Sequence, residues 1–445
     1  MKLKTFKLGG VHPEENKITK GKSIEQFPLP DKVVVLLNQQ LGAPAKPVVK
    51  KGDVVKTGQL IAEADGFISA NIHSPISGVI EKVDTWPDAS GYRKPAIFIT
   101  REGDEWLETI DRSTELKKDI SLSAEEIIQK IKDMGIVGMG GATFPTHVKL
   151  SIPQGKKAEY LIINGVECEP YLTADHRLML EKTEEIMVGI TILMKALKVD
   201  KALVGIENNK PDAIEIMSKA ASNYPGITVH ALKVKYPQGA EKQLIKALVN
   251  REVPSGKLPI DVGCVVQNVG TAFAVYEAVQ KNKPLIERVV TITGKHLSNP
   301  TNVLVRIGTP IQQLIEYAGG LPSNTAKVIN GGPMMGKAVY TLDTTVTKGT
   351  SGILVLEKTE TSRKDPYVCI RCARCVDVCP MGLEPYLLYA ASRKAMWDVM
   401  KDHNTMDCIE CGSCQYTCPS YLPLLDGIRL GKNKVAAMLR AAAKK

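Results

Sequence analysis

Aromatic residues are scarce in this chain, and long apolar runs are absent from it. Phe, Trp and Tyr account for 5% of the 445 residues, so few rings are available on which nucleic-acid bases could stack. The longest apolar run covers only residues 187–194, whereas a membrane-spanning helix needs about 20 apolar residues. The first ten residues, MKLKTFKLGG, lack the apolar core of a secretory signal peptide. The sequence therefore argues against nucleic-acid partners, membrane insertion and secretion.

Length and charge set further bounds. A chain of 445 residues that is 44% hydrophobic can bury several cores, which corresponds to about three or four domains. The net charge of +10 permits attraction to an anionic membrane surface or to an acidic protein partner. The sequence is thus expected to be a multidomain protein that is soluble or peripheral to a membrane.

Cysteine is concentrated near the C-terminus. Eight of the ten cysteines lie in two runs with the spacing C-x2-C-x2-C-x3-C-P. The runs are Cys369, Cys372, Cys375 and Cys379 before Pro380, and Cys408, Cys411, Cys414 and Cys418 before Pro419. In two-cluster ferredoxins with this spacing, the fourth cysteine of each run ligates the cluster of the other run. The spacing predicts two [4Fe–4S] clusters: a first cluster on Cys369, Cys372, Cys375 and Cys418, and a second cluster on Cys408, Cys411, Cys414 and Cys379.

Structural zinc and disulfide bonds are the alternatives for these cysteines. Zinc favours two C-x2-C pairs on a longer spacer, and a triple C-x2-C-x2-C run holds more thiols than a tetrahedral site needs. Disulfides are typical of short secreted chains. The spacing favours clusters over both alternatives, and a reducing cytoplasmic compartment is expected.

The N-terminal part of the chain has strand-like patterns. Residues 30–100 contain short alternating runs of Val and Ile with Gly and Pro, which predict a small all-β unit. The segments KGDVVKTGQLI (51–61) and SPISGVI (74–80) resemble the hairpins of lipoyl and biotinyl carrier domains. No lysine lies between Lys56 and Lys82 to carry a prosthetic group. We therefore expect a structural barrel-sandwich rather than a carrier domain.

Residues 121–285 alternate between helical and strand-like patterns. The predicted helices cover 124–134 with Ser123 as N-cap, 174–197, 240–249 and 271–280. The predicted strands cover 160–163, 202–206, 227–232 and 262–266. Such alternation predicts an α/β domain with a mostly parallel sheet. Ligands of such sheets bind at the carboxyl ends of the strands.

Three loops of this domain have the composition of ligand-binding loops. GMGGATFPT (138–146) would let backbone amides approach a phosphate or a ring, and Lys149 follows it to neutralise charge. NGVECEP (164–170) follows a predicted strand, and YPQGAE (236–241) precedes a helix whose N-terminus can face a phosphate. A glycine turn between helices is the alternative for the first loop. Together the loops predict one ligand site.

These segments resemble a known family. GMGGATFPTHVK, NGVECEP, YPQGAEKQL and VVQNVGT (265–271) are similar to the FMN- and NADH-binding domain in the flavoprotein subunit of respiratory complex I. KLGGVHP (7–13), the barrel-sandwich and the paired cysteine runs narrow the resemblance to the C subunits of Rnf electron-transport complexes. Residues 286–360 are similar to the ubiquitin-like SLBB segment that follows the flavin domain in both families.

The resemblance implies a multidomain chain of α/β and β units. Its parts are a barrel-sandwich hybrid domain (1–118), a Rossmann-like FMN- and NAD(H)-binding α/β domain (119–285), an SLBB-like β-grasp segment (286–360) and a helical ferredoxin-like domain with two [4Fe–4S] clusters and a C-terminal helix (361–445). Each part corresponds to one of the patterns described above.

The resemblance also implies cofactor-binding residues. They are Gly138, Gly140, Gly141, Phe144, Lys149, Asn164, Glu167, Tyr236, Gly239, Glu241 and Asn268. By position, Lys149 and the glycines are assigned to the phosphate and ribityl chain of FMN, Asn164 and Glu167 to the ring side, and Phe144 with Glu241 to NAD(H). The chain departs from the complex I pattern at Met139, Thr143, Val166, Ala240 and Gln267.

The implied activity is ferredoxin:NAD+ oxidoreduction coupled to ion translocation by partner subunits. The chain would carry FMN and two [4Fe–4S] clusters, react with NAD(H), and work beside a ferredoxin-like B subunit and membrane subunits at the cytoplasmic face of the plasma membrane. FMN is needed because nicotinamide moves two electrons as a hydride whereas clusters move one at a time. The alternatives are a soluble reductase of the cobalamin-reducing kind and a relay subunit that has lost nucleotide binding.

Overall fold

The computed structural model describes residues 3–361 and 364–442. The predicted fold class, α/β and β units in one chain, is confirmed. The strands are β1 (Ile24–Gln26), β2 (Lys32–Leu36), β3 (Lys46–Pro47), β4 (Val54–Val55), β5 (Leu60–Glu63), β6 (Ile72–His73), β7 (Gly78–Pro87), β8 (Arg93–Arg101), β9 (Tyr160–Asn164), β10 (Ala202–Glu207), β11 (Ile227–Leu232), β12 (Cys264–Asn268), β13 (Glu287–Thr293), β14 (Thr301–Arg306), β15 (Thr325–Asn330), β16 (Lys337–Ala338) and β17 (Gly352–Glu357).

Helices are concentrated in the middle of the chain and at its C-terminal end. They are α1 (Ala124–Asp133), α2 (Thr146–Leu150), α3 (Ala174–Glu181), α4 (Thr183–Leu197), α5 (Pro211–Ala221), α6 (Glu241–Val249), α7 (Val269–Gln280), α8 (Ile311–Tyr317), α9 (Lys358–Thr361), α10 (Arg374–Asp377), α11 (Pro385–Arg393), α12 (Trp397–Asp402), α13 (Ser413–Tyr416) and α14 (Leu424–Ala442).

Two small sheets form the predicted barrel-sandwich. One has the order β2-β8-β7-β4 and the other the order β3-β5-β6. Val33, Val35, Ile97 and Ile99 of β2 and β8 are buried in one core with Ile61 of β5. The residues between them, Val34, Leu36, Ala96 and Phe98, are buried in a second cluster on the opposite face, since successive side chains of a strand point to opposite faces. The all-β expectation is confirmed.

A four-stranded parallel sheet forms the centre of the α/β domain. Its order is β11-β10-β9-β12, and every neighbouring pair is parallel, as predicted. Ser123 caps α1, because its hydroxyl accepts the backbone N–H of Glu126 while the Glu126 carboxylate accepts the N–H of Ser123. The parallel order brings the carboxyl ends of β9 and β12, Asn164 and Asn268, to one edge of the sheet.

The prediction of one helix over 174–197 is wrong. The structure has two helices that separate at Lys182 (φ −131°, ψ 34°). The Thr183 hydroxyl donates to the carbonyl of Met179 at 2.6 Å, occupying the acceptor that the backbone N–H of residue 183 would use in a continuous helix. Helix α5, which begins with Pro211 at its first position, was not predicted from the pattern.

A six-stranded sheet follows, with the order β1-β14-β13-β17-β15-β16. Its edge strand β1 comes from the N-terminal segment and pairs in parallel with β14. Residues 3–26 therefore lie outside the barrel-sandwich and contact the other units. Lys4 forms a β-bridge with Leu232 at the end of β11, and Val11 forms one with Tyr236. The four largest clusters of buried residues lie mainly in the four predicted parts, and the cluster of the α/β domain also includes Ala70 and Ile307 from the neighbouring parts. The exact domain boundaries stay a prediction, and residues 362–363 and 443–445 of the fourth part lie outside the described residues.

Candidate functional site

The predicted ligand loops meet at the carboxyl edge of the parallel sheet. Asn164 donates from its amide to the carbonyl of Gly239 at 2.8 Å, which joins the loop after β9 to the loop before α6. The Asn268 amide donates to the carbonyl of Asn164 at 3.3 Å and to Asp175 at 2.6 Å. The Asn268 side-chain oxygen also caps α7 by accepting the N–H of Gly270 at 2.8 Å. Side chains that the sequence pattern assigned to ligand binding therefore also hold the loops together.

The glycine-rich loop lies against this edge. The N–H of Gly138 donates to the carbonyl of Phe144 at 2.8 Å, closing the loop on itself. A Cβ on Gly140 would lie 3.0 Å from the Asn268 side chain, whereas a Cβ on Gly141 would meet nothing within 4 Å. Gly140 is thus needed for close packing, and Gly141 faces open space that a ligand can approach.

Lys149 and Glu241 form an ion pair next to this loop. The ammonium of Lys149 lies 2.7 Å from the Glu241 carboxylate and donates to the carbonyl of Val266 in β12 at 3.1 Å. The side chains are 29% and 38% exposed. Two residues assigned to different ligands, Lys149 to FMN and Glu241 to NAD(H), therefore lie in contact at the mouth of one site.

Glu167 has a structural partner. Its carboxylate accepts the backbone N–H of Asp175 at 2.8 Å and that of His176 at 3.2 Å, so it binds the N-terminus of α3, where anions are stabilised. Burial, together with the nearby Glu167 charge, raises the pKa of Asp175 to about 7. The structure thus places Glu167 as a helix cap, and its ring-side role stays a prediction.

Tyr236 faces the cysteine-rich domain. Its side chain is 2% exposed, and its hydroxyl donates to the carbonyl of Cys411 at 2.8 Å. The same hydroxyl lies 3.4 Å from the carboxylate of Glu169, which accepts the backbone N–H groups of Met334 and Met335 at 3.0 and 2.8 Å. Burial raises the pKa of Glu169 to about 7. Tyr236 therefore connects the flavin-type domain to a cysteine loop.

Seven of the eight cysteines lie in two groups, each of which combines members of both runs. Cys379, from the first run, lines a mostly apolar cavity with Cys408, Cys411 and Cys414 of the second run. Burial raises the pKa of the Cys375 thiol, and the thiols of Cys418, from the second run, and Cys369 raise that pKa further. This grouping is the one that exchange of the fourth cysteine between the runs predicts.

The two sets differ in exposure. In the first set Cys369 and Cys372 are exposed and Cys375 is buried, whereas in the second set Cys379, Cys411 and Cys414 are all buried. Burial raises the pKa of the Cys408 thiol to about 11, so a nearby positive charge such as iron is needed to hold it as thiolate at neutral pH. Four thiols lining one cavity are the number of ligands that a [4Fe–4S] cluster requires.

The buried set packs against the α/β domain. Besides the bond from Tyr236 to Cys411, the side-chain amide of Gln243 in α6 donates to the carbonyl of Pro380, next to Cys379, at 3.0 Å. Lys242 lies 3.8 Å from Asp407, next to Cys408. Both cysteine runs thus contact the domain that carries the ligand loops.

Comparison with known proteins identifies the family. Family models described as RnfC Barrel sandwich hybrid domain, Nuo51 FMN-binding domain, SLBB domain and 4Fe-4S dicluster domain match residues 4–104, 131–277, 289–338 and 361–419. The C subunit of the proton-translocating ferredoxin:NAD(+) oxidoreductase complex of Clostridium ljungdahlii is 50% identical over 408 residues, 91% of this chain and 88% of that protein. The chain belongs to the RnfC family.

A second RnfC relative matches over nearly the whole chain. The C subunit of the Na(+)-translocating ferredoxin:NAD(+) oxidoreductase complex of Acetobacterium woodii is 45% identical over 442 residues, 98% of each chain. Among solved structures, an NAD+-reducing [NiFe]-hydrogenase in the H2-reduced state superposes with a TM-score of 0.47 at 19% identity, over 72% of this chain and 61% of that one. The family assignment rests on the sequence relatives, and it confirms the resemblance, the FMN and the [4Fe–4S] clusters inferred from the sequence.

The carboxyl edge fits a flavin phosphate and ring. Gln267 is buried at the end of β12, and its side-chain nitrogen has no hydrogen-bond partner in the described part of the chain. A buried donor of this kind needs an acceptor, and flavin offers several. Lys149 supplies a cation and Gly141 an unobstructed approach. Gln267 stands where the complex I flavoprotein pattern has another residue, so the motif did not indicate it as a candidate.

Other residues of the site also could not be found from the sequence. Lys17 donates to the carbonyls of Glu167, Glu169 and Leu172 at 2.8, 2.9 and 2.6 Å, holding the NGVECEP loop from the N-terminal segment. Nothing in the local sequence around Lys17 indicates this contact. Over residues 3–361 and 364–442, no helix combines the length and apolar character needed to cross a membrane.

Proposed function

We propose that this RnfC chain exchanges electrons between NAD(H) and its two [4Fe–4S] clusters through FMN, as a peripheral subunit of an ion-translocating membrane complex. The observation that carries the proposal is the contact between the buried cysteine set and the FMN-binding domain through Tyr236 and Cys411. A cofactor at the carboxyl edge and a cluster on Cys379, Cys408, Cys411 and Cys414 would share one rigid scaffold. Bound FMN would supply the conversion between hydride transfer and single-electron transfer.

The residues of the carboxyl edge are proposed to bind and orient FMN and the nucleotide. Lys149 would neutralise the FMN phosphate, and the backbone of Gly138, Gly140 and Gly141 would pass close to it. Glu241, already beside Lys149, would accept hydrogen bonds from a ribose hydroxyl of NAD(H). Phe144, Asn164, Glu167, Gly239 and Asn268 line or hold the same loops.

The exposed cysteine set is proposed to face a partner. Cys369 and Cys372 are exposed, and the apolar residues around them, Tyr367, Val368 and Ile370, are 64%, 85% and 65% exposed. Exposed apolar side chains next to a redox centre are typical of a docking surface. We assign it to another subunit of the complex, the ferredoxin-like B subunit, with the membrane subunits beside it at the cytoplasmic face of the plasma membrane.

The coupling ion is proposed to be selected outside this subunit. Relatives that are 50% and 45% identical to the chain are named proton-translocating and Na(+)-translocating, respectively. In the described residues, no helix of this chain could cross a membrane. Ion transport therefore belongs to partner subunits, and this chain contributes the electron transfer.

Two experiments test the proposed function. The full chain, reconstituted with iron, sulfide and FMN, should reduce ferricyanide with NADH. Absence of that activity from a chain containing both cofactors would favour a relay subunit without nucleotide binding. The chain expressed from its native locus should co-purify with membrane subunits, whereas purification as a soluble single-subunit enzyme would favour a reductase of the cobalamin-reducing kind.

A further inference from the structure

The N-terminal segment contains a short motif, KLGGVHP (7–13), that the proposed function leaves unused. In the structure this motif lies between the FMN-binding domain and the cysteine-rich domain. Val11 and Tyr236 form an antiparallel bridge, with the N–H of Val11 donating to the carbonyl of Tyr236 at 2.8 Å and the reverse bond at 2.9 Å. The motif is thus fixed to the residue whose hydroxyl binds Cys411.

The two glycines of the motif lie directly on the other cysteine run. The N–H of Gly10 donates to the carbonyl of Val378 at 2.9 Å. A Cβ added to Gly9 would lie 2.5 Å from the carbonyl carbon of Cys379 and 2.7 Å from the carbonyl oxygen of Val378. Gly9 also has φ +66°. No larger residue fits this position unless the backbone at Cys379 moves.

The second cluster therefore has both of its ligand-bearing loops held from one side. Gly9 and Gly10 contact the loop that carries Cys379, and Tyr236 holds the loop that carries Cys411. The Val11–Tyr236 bridge joins these two supports. A metal centre depends on such outer contacts, because they orient the ligands.

We propose that Gly9, Gly10 and Tyr236 are positioning residues that clasp the Cys379 and Cys411 loops around the second cluster and against the FMN-binding domain. The inference rests on the proposed ligand set of that cluster. It gives the KLGGVHP motif a specific role, because the motif sets where Cys379 stands relative to Cys408, Cys411 and Cys414. The first cluster, on Cys369, Cys372, Cys375 and Cys418, should not depend on it.

The test compares two glycine variants in the full chain. Gly103 has φ +67°, nearly the same as Gly9, but a Cβ there would meet nothing within 4 Å. Gly9→Ala and Gly103→Ala therefore carry the same backbone strain, and only the first displaces a cluster ligand. Gly9→Ala should reduce the iron content from about eight to about four atoms per folded chain, with loss of one EPR signal. Gly103→Ala should keep both EPR signals. The FMN content should stay the same in both variants. Parent-like iron and EPR spectra in folded Gly9→Ala would overturn the inference.

A conservative variant covers the case in which Gly9→Ala does not fold. Tyr236→Phe keeps the ring and removes the hydroxyl, and with it the hydrogen bond to Cys411 and the 3.4 Å contact with Glu169. It should shift the midpoint potential and line shape of the second cluster's EPR signal and leave the first cluster unchanged. A parent-like potential in Tyr236→Phe, with Gly9→Ala either unfolded or parent-like, would refute the proposed clasp.

A third variant separates this inference from the ligand assignment. Cys379→Ala should remove the second cluster whether or not the N-terminal motif positions it. If Cys379→Ala instead removes the first cluster, the ligand set of the proposed function is wrong. If Cys379→Ala removes the second cluster while Gly9→Ala and Tyr236→Phe both leave it unchanged, only the positioning role fails.

Discussion

Removal of the Lys149 ammonium should weaken FMN binding, and the structure predicts a partial rescue by a second change. Lys149 is paired with Glu241 at 2.7 Å. Lys149→Ala removes the cation assigned to the FMN phosphate and also leaves the Glu241 carboxylate without its partner. An unpaired carboxylate next to a phosphate site repels the ligand. The double variant Lys149→Ala/Glu241→Gln should therefore retain FMN better than Lys149→Ala alone.

The sizes of the two effects follow from the exposure of the pair. A hydrogen bond to a charged group contributes about 1.5–3 kcal/mol, which corresponds to roughly a ten- to a hundredfold loss of FMN affinity. The 29% and 38% exposure of the two side chains lets water screen the repulsion between carboxylate and phosphate to about 1 kcal/mol. Glu241→Gln in the Lys149→Ala background should thus recover about fivefold of the lost affinity.

The measurement is titration of FMN into flavin-free full chain, followed by quenching of flavin fluorescence, for the parent, both single variants and the double variant. The cluster EPR signals serve as the control for folding and should be the same in all four proteins. Undiminished FMN affinity in Lys149→Ala would refute the phosphate assignment. A double variant that binds FMN no better than Lys149→Ala would show that Glu241 does not face the phosphate site.

Four further changes test other parts of the reasoning. Cys379→Ala should abolish the EPR signal of the second cluster and keep that of the first; the opposite loss would refute the exchange of ligands between runs. Glu241→Gln should raise the KM for NADH and narrow the preference for NADH over NADPH, because a carboxylate accepts a hydrogen bond from a ribose 2′-hydroxyl and repels a 2′-phosphate. If steady-state ferricyanide reduction shows the same preference in the variant and the parent, Glu241 does not select the nucleotide. Gly141→Ala should leave thermal stability unchanged, since a Cβ at this position meets nothing within 4 Å. The same variant should bind FMN severalfold more weakly than the parent. If the variant and the parent bind FMN with equal affinity, the flavin lies elsewhere. Burial raises the pKa of Glu169 to about 7 from its ordinary 4.5, so between these pH values the folded chain holds a proton that the unfolded chain releases. The free energy of unfolding of the parent, measured relative to that of Glu169→Gln, should therefore fall as pH rises from about 4.5 to about 7. A difference between the two proteins that does not vary with pH would contradict the raised pKa.

Local patterns were sufficient to predict most of the fold. The α/β domain was predictable because its strands are short apolar runs that alternate with helical patterns, and strand 227–232 begins and ends where predicted. The break between α3 and α4 was not predictable from periodicity, because the apolar pattern continues through Lys182, where the backbone leaves the helical conformation. The path of residues 3–26 could not be predicted either, since its pairings with β11 and β14 join residues more than 200 positions apart.

The candidate site was predictable to a different degree for each cofactor. The cysteine spacing indicated both clusters, because iron–sulfur ligation imposes a short, regular spacing on the chain, and the assignment of four cysteines to each cluster stays a prediction. The flavin loops were recognisable by composition, but the partners of their side chains were not. The contact of Lys149 with Glu241 joins residues 92 positions apart, and the direction of the Tyr236 hydroxyl depends on how the cysteine-rich domain packs.

The different exposure of the two cysteine sets gives the electron route its order. A cluster that exchanges electrons with another subunit must come close to the protein surface, and Cys369 and Cys372 are exposed. A cluster that exchanges electrons with a flavin in the same chain must instead lie against the flavin domain, and the set containing Cys411 does so through Tyr236. The first set meets the first requirement through Cys369 and Cys372, and the second set meets the second requirement through Tyr236, so we expect the first cluster to communicate with the partner and the second with FMN. If Cys379 and Cys418 are exchanged between the runs as predicted, both clusters are held on one small scaffold, and docking of a partner at the first cluster need not disturb the position of the second.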